Sequence, residues 1–238
     1  MTEEIFRGNS YAKTCEATVV SVDDAGIELD RTVFYPMGGG QPGDTGVLRK
    51  ADGIEVRIAD TRKDRETGRH CHVPEEGAAG LAAGDTVTAE IDWERRYRLM
   101  RMHTSLHLLC AVVESGVTGG QIGTEKSRLD FDLPDTSLDK AAIEADLNRL
   151  VDEDHALSMQ WISDEEMAAN PELVRTMSVK PPSGAGKVRL MNVEGVDLQP
   201  CGGTHLARTG EIGQLRVGKI ENKGKHNRRI NIHLVEEE

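Results

Sequence analysis

The stretch RMHTSLHLLC, residues 101–110, sets His103 and His107 four positions apart inside an apolar run. In a helix that spacing stacks both rings on one face, close enough to share a metal ion. At 100° per residue, Leu99, Met102, Leu106, Leu109, Cys110 and Val113 form one stripe that must face a core. The two histidines fall together on its flank, between apolar packing and solvent. Alone, such a pair is more often structural than metal-binding. A second pair stands in QPCGGTH, residues 199–205, where Cys201 and His205 share the spacing but Pro200, Gly202 and Gly203 argue against helix. A loop leaving the strand-like MNVEGVDL is expected, its glycines letting ligands wrap closely. The competing reading is a buried cysteine beside an unrelated histidine. Three imidazoles and one thiol together suit Zn2+, which prefers tetrahedral nitrogen and sulfur donors. Four protein ligands usually close a structural site. Against that, a domain with ample core has little need of a metal staple, which favours a functional ion.

The elements that must carry these residues fall into two parts. Over residues 1–92, CEATVVSV and GIELDRTVF flank the turn DDAG, GVLRK and IEVRIADT flank ADG, and RHCHV and DTVTAEIDW follow. About six short strands with regular turns predict a small β-barrel or sandwich. The pattern changes at Trp93. WERRYRLMRMHTSLHLLCAVVES has helical period and stops at Gly116, and KSRLDFDL alternates like a strand up to Pro134. TSLDKAAIEADLNRLVDEDHAL is a second helix, with Leu138, Ile143, Leu147, Leu150 and Val151 for its apolar face. SMQWIS is a strand and DEEMAAN a short helix. KVRLMNV, GQLRVGKIEN and RRINIHLV complete an α+β domain over 93–238, the last two joined by KGKHN. KPPSGAGK lacks the spacing of a phosphate loop and reads as a turn. Gly38, Gly39, Gly40 and Gln41 form either a tight turn needing positive φ or a loop approaching a cleft, where Gln41 and Thr45 offer hydrogen bonds.

Charge qualifies what the chain can bind. With 29 basic and 41 acidic residues the net charge is −12, which argues against nonspecific binding to polyanions. Positive charge is nevertheless concentrated over residues 215–235, six basic side chains against one acidic, and near Arg95, Arg96, Arg98 and Arg101. Arg96, Arg101, Lys223, Lys225, Arg228 and Arg229 are therefore candidate phosphate contacts, the alternative being ordinary solvated faces. The four cysteines are too scattered for a disulfide framework and read as thiols or ligands. No apolar run approaches the ~20 residues of a membrane helix. MTEEIFRGNSY lacks the features of a signal peptide, so a cytoplasmic location is expected. His155, His226 and His233 suggest no site, and His70 and His72 share a strand face with Cys71 on the other.

HTSLH and, about a hundred residues later, CGGTH together resemble the HxxxH and CxxxH pair of the alanyl-tRNA synthetase editing domain. The chain is most similar to that domain's free-standing relatives, the AlaX editing proteins, and to their medium-length subgroup. FYPMGGGQPGDTG resembles the glycine-rich segment of the family's small barrel, and GGQIGTEKSRLDFDL the stretch after its first helix. VDLQPCGGTHLARTGEIG resembles a segment also found in threonyl-tRNA synthetase. The resemblance implies an N-terminal small β-barrel followed by a two-layer α+β editing domain. It also implies zinc held by His103, His107, Cys201 and His205, and hydrolysis of the ester joining serine, and secondarily glycine, to tRNA(Ala). Gln121 falls where the family has a functional polar residue, although as sequence alone it reads equally as a turn residue. Two other functions fit the same residues: a metal-dependent hydrolase of small aminoacyl esters, and a non-catalytic RNA-binding module with structural zinc. No obligate protein partner is indicated.

Overall fold

The computed structural model describes residues 2–64, 66–78, 80–134, 138–177 and 186–235. Residues 180–185 of KPPSGAGK, and Thr136 and Ser137 at the start of the expected second helix, lie outside them. The chain divides into two compact units, Met1–Tyr97 and Arg98–Glu238. The division falls inside a helix, whereas the change of sequence pattern lies just before it.

The first unit is a closed six-stranded barrel. A short β1 (Glu3–Glu4) runs parallel to β4 (Arg31–Thr32) beside it. The barrel strands are β2 (Thr14–Asp23), β3 (Gly26–Leu29), β5 (Gly46–Lys50), β6 (Glu55–Lys63), β7 (His70–Pro74) and β8 (Thr86–Ile91), in the order β2-β3-β7-β6-β5-β8. Alternation makes the core: Ala17 and Val19, Val56 and Ile58, and Val87, Ala89 and Ile91 point inward with Ile27, Leu29, Phe34 and Leu48. GIELDRTVF, read as one strand, breaks at Asp30. There the Asp30 carboxylate accepts from Thr18 N at 2.7 Å and the Asp30 N–H donates to Thr18 O at 3.0 Å. This local ring takes the place of the next ladder pair.

Three polar side chains inside this unit, Asp44, Arg96 and His72, are buried yet satisfied. Asp44 accepts from Arg96 Nε at 3.0 and 2.9 Å and from Tyr35 N at 2.6 Å. Arg96 also donates to Ser10 O at 3.0 Å and Val33 O at 2.7 Å. Arg96 was a candidate phosphate contact on the sequence, but its guanidinium is buried and spent on the barrel's own loops. His72 is held by Ile27 O at its Nδ1 (2.9 Å) and Thr32 Oγ1 at its Nε2 (2.8 Å). Burial, then the neighbouring His70, pushes the His72 pKa down to about 3.

The second unit begins within α1 (Trp93–Val112) and continues with β9 (Val117–Gln121), β10 (Lys126–Asp132), α2 (Lys140–Asp152), β11 (Leu157–Ser163), α3 (Asp164–Ala169), β12 (Lys187–Val193), β13 (Asp197–Pro200), β14 (Leu215–Asn222) and β15 (Asn227–Leu234). One sheet is ordered β14-β15-β10-β9 and the other β11-β12-β13, all antiparallel. The α2 helix starts at Asp139, whose carboxylate caps Ala141 N and Ala142 N. It stops well before Leu157 because Asp154 takes a left-handed backbone, φ +52°. Its side chains cover the outer edge of β14: Asn148 exchanges bonds with Leu215 N (2.8 Å) and O (2.9 Å), and Glu144 accepts from Val217 N at 2.7 Å. The α3 helix packs Met167 on Val188, Leu190 and Leu198, one face of the smaller sheet. Among the described residues no helix is long and apolar enough to cross a membrane.

The His72 shift has a defined sign. Its folded pKa, about 3, lies below the ordinary value of 6.5, so its neutral form contributes stability in full above pH ~6.5, and that contribution declines as pH falls towards 3. Glu4 acts in the same direction. Burial raises its pKa, but His70, Arg7 and Lys63 outweigh this and hold it at about 2, so its contribution is lost below about pH 4.5. Urea midpoints followed by circular dichroism should fall from pH 7 to 4 in the native protein and fall less steeply in His72→Gln. Parallel curves would exclude His72 as a source of acid lability.

Candidate metal centre

The α1 helix is buried on nearly every side from Leu99 to Cys110, with Thr104 and Ser105 as enclosed as the leucines. The solvent-facing flank expected for His103 and His107 is therefore absent, and both rings lie in the interior. Across from them, β13 ends at Pro200 and releases the loop carrying Cys201 and His205. One donor atom from each of the four residues lies within 4.8 Å of every other. Cys201 Sγ sits 3.4 Å from His103 Nε2 and 3.1 Å from His205 Nε2. The three imidazole centroids are 4.2, 4.7 and 5.8 Å apart. A tetrahedral ion with bonds of about 2.0–2.3 Å spaces its ligands at roughly 3–4 Å; both Cys201 contacts match that spacing, and a slight closure of the rest would let the four hold one metal. Packing three imidazoles and a thiol together with so few donors among them is costly unless a cation accepts their lone pairs.

The surroundings hold three of the four residues in place. His107 Nδ1 meets Asp197 Oδ2 at 2.8 Å, which leaves Nε2 for the cluster. Gln199 Nε2 donates to the same carboxylate oxygen at 2.8 Å. Thr104 Oγ1 accepts from Leu206 N at 3.2 Å and stands 3.4 Å from His205 Nδ1. Arg189 Nη1 holds the ligand loop through Cys201 O at 3.1 Å and Gly203 O at 2.7 Å. The donors are electrostatically coupled to one another and to Asp197. Burial opposes charge on His107, but Asp197 and the Cys201 sulfur outweigh it and raise its pKa to about 10. Burial would also raise the Cys201 thiol, yet His103 and His205 hold it well below its usual value. Cys110, buried without such partners and near Asp197, is pushed up to about 12 and is an inert thiol by contrast.

The other expected residues are distributed unevenly. Gln121 is the last residue of β9 and is exposed, not part of a turn. Gly39 and Gly40 have φ of +56° and +83° between Gly38 and Gln41, which exchange both backbone bonds (3.0 and 2.9 Å). This is a two-residue hairpin turn that needs glycine at both centres. Gln41 is fully buried, while Thr45 is half-buried. In the C-terminal hairpin Lys223 and Lys225 are exposed. Arg229 is paired with Asp130 at 2.7 and 2.9 Å. Arg228 is buried and staples its own turn through Asn222 Oδ1 and Gly224 O. Arg101 donates to Ile212 O at 2.7 Å. Three of the six candidate phosphate contacts, Arg96, Arg228 and Arg229, are thus committed to the fold. Asp197, Gln199, Thr104 and Arg189 went unnoticed in the sequence. The alternation Asp197-x-Gln199-x-Cys201 was the available signal, since a strand puts all three on one face.

A small barrel followed by an α+β unit with a His3Cys cluster defines a protein built from synthetase-related domains. Residues 3–95 match the family of class II (A) tRNA synthetases, and residues 188–231 match the second additional domain of threonyl and alanyl tRNA synthetases. The chain is 40% identical to alanyl-tRNA editing protein AlaX-M of Methanosarcina acetivorans over 99% of its own length and 100% of that protein's. It is 33% identical to AlaX-M of Saccharolobus solfataricus, covering 97% and 98%. It is also 36% identical to alanine–tRNA ligase of Pyrobaculum calidifontis, covering 92% of this chain but 25% of the ligase. The chain belongs to the AlaX-M family of alanyl-tRNA editing proteins.

If the Asp197 carboxylate fixes the His107 ring for metal binding, removing its charge should weaken the site without dismantling it. Asp197→Asn is expected to lower metal affinity about 10–100-fold, as for outer partners of ligating histidines. Competition against a chromophoric chelator measures this. Equal affinity in the variant would leave the Asp197 bond without a role at the metal.

Proposed function

We propose that this protein hydrolyses the ester linking a wrong amino acid, serine first and glycine second, to tRNA(Ala), with zinc as the ion at the four-residue cluster. The observation that carries the reading is the convergence of His103, His107, Cys201 and His205 in a chain that matches AlaX-M proteins from end to end. Three nitrogens and one sulfur are the donors zinc prefers. When bound, zinc supplies Lewis acidity that can polarise or orient an ester or a ribose hydroxyl.

The chain's own residues supply the remainder. His107 keeps its Nδ1 proton on Asp197, so its tautomer is set before substrate arrives. Arg189 fixes the Cys201–Gly203 backbone from behind, holding the ligand loop in one conformation. Gln121, exposed at the end of β9, carries an amide donor and an acceptor, and we assign it to hydrogen-bonding the aminoacyl ester or the attacking water. In the barrel, Gly38–Gly40 and Thr45 are the parts of the glycine-rich segment left to meet substrate, since Gln41 is buried. Arg101, Lys223 and Lys225 remain as candidate contacts to the tRNA backbone.

Incubation with Ser-, Gly- and Ala-tRNA(Ala), with and without chelator, tests the reading. The first two should lose their amino acid and the third should keep it, with activity falling as metal is withdrawn. No hydrolysis of either mischarged tRNA by zinc-loaded protein rejects the proposal. Cys201→Ala should lose bound zinc and hydrolysis together, by about 10-fold or more, and full activity in a zinc-free variant would show the ion misassigned. Lys223→Gln with Lys225→Gln should weaken tRNA binding uniformly and reduce its salt slope by about one to two. An unchanged slope removes the hairpin from the interface.

A further inference from the structure

Aromatic side chains make up only 3% of this chain, and all three phenylalanines are buried. Trp161 is nonetheless 50% exposed and Met159, two residues before it on the same face of β11, is 39% exposed. Their position in the smaller sheet is informative. Side chains directly opposite in an antiparallel pair share a face. Trp161 lies opposite Arg189, and Met159 opposite Met191. Met191 in turn lies opposite Gln199, and Val193 opposite Asp197. The exposed pair therefore occupies the same sheet face as Asp197 and Gln199, which surround the metal ligands, two strands further out.

Arg189 makes the connection physical. Its Nη1 holds the carbonyls of Cys201 and Gly203, while Nε and Nη2 touch Met159 Sδ at 3.2 and 2.9 Å. Lys187, two residues before Arg189 on this face, is exposed and has no ion pair among the described residues. The Trp161 ring has no aromatic or cationic neighbour among them either. The surface thus combines an unoccupied aromatic face, a polarisable thioether and an unneutralised ammonium at the rim of the candidate site.

We propose that Trp161 and Met159 form a stacking platform for one or two unpaired bases at the single-stranded end of the RNA substrate, with Lys187 at the adjoining phosphate. This rests on the deacylase reading, because only an RNA whose end enters the metal centre would lay its neighbouring nucleotides here. Size favours a nucleobase over a protein: a stable protein interface needs about 800 Å² per partner, whereas two side chains match the footprint of one or two bases. Aromatic faces bind unpaired bases without requiring a sequence, and a flanking cation tracks the backbone.

The test uses fluorescence in a Trp93→Phe background, where Trp161 is the only tryptophan. A stem-loop RNA with a four-nucleotide 3′ tail should quench Trp161, and the same stem-loop with a blunt end should not. Trp161→Ala should weaken binding of the tailed RNA about tenfold and leave the blunt RNA unaffected, while Trp161→Phe retains most of the affinity. Lys187→Gln should reduce the salt slope by about one. Thermal melts and zinc content confirm that the variants fold. Unchanged affinity in Trp161→Ala with no quenching overturns the platform. So does a concentration-dependent dimer that Trp161→Ala dissolves, which would assign the surface to a second copy of the chain. Hydrolysis of mischarged tRNA by the native protein is measured in parallel. Native hydrolysis without any Trp161 effect sinks the platform alone, and absent native hydrolysis sinks the parent reading, whatever the tailed RNA does.

Discussion

The bond from His107 Nδ1 to Asp197 Oδ2 ties the middle of α1 to the first residue of β13, about ninety positions away in sequence. Everything at the cluster depends on that junction. It fixes which nitrogen of His107 faces the other ligands, and it sets where β13 begins relative to the helix. Since a strand advances about 3.3 Å per residue, this start determines where Cys201 arrives. A helix carrying two ligands and a loop carrying two more come together because one carboxylate closes the gap between their elements. The carboxylate is itself enclosed: Asp197 is buried and shared with Gln199.

How much of this was readable from the sequence depends on the kind of signal. The barrel was legible because its strands alternate and its turns contain glycine and aspartate, and the four residues of the cluster were legible as two tight pairs. The β9 strand was missed because VTGGQ contains two glycines, whose missing side chains erase the alternation. The four-residue β13 was divided between the strand-like MNVEGVDL and the loop leaving it, which hid the shared face of Asp197, Gln199 and Cys201. Burial was the larger blind spot. A count of charges cannot distinguish Arg96, enclosed against Asp44, from a solvated arginine. Nor does the period of α1 disclose that a helix with one obvious apolar stripe is covered on its polar side as well.

The arginines explain how an acidic chain can have structural cations and surface cations of different kinds. Arg96, Arg101, Arg189 and Arg228 each donate to backbone carbonyls, and Arg229 binds a carboxylate with two nitrogens. The planar fork suits that work, since it can satisfy several acceptors at once. The exposed charge of the C-terminal hairpin comes mostly from lysines, Lys219, Lys223 and Lys225, with Arg216 beside them. The basic cluster seen in the sequence is thus two populations, one internal and one available.

The edge of β14 has a consequence for how the molecule behaves in a crowd. A bare strand edge is a template on which a second chain can add, which is how many β-rich proteins polymerise. Here the N–H and C=O of Leu215 are already taken by Asn148, and the N–H of Val217 by Glu144, both from α2. An approaching strand would find those three groups occupied until that helix peeled away. Protection by a neighbouring helix, unlike protection by surface charge, does not weaken as salt rises. At that end of the strand, resistance to templated growth is set by how firmly α2 stays docked.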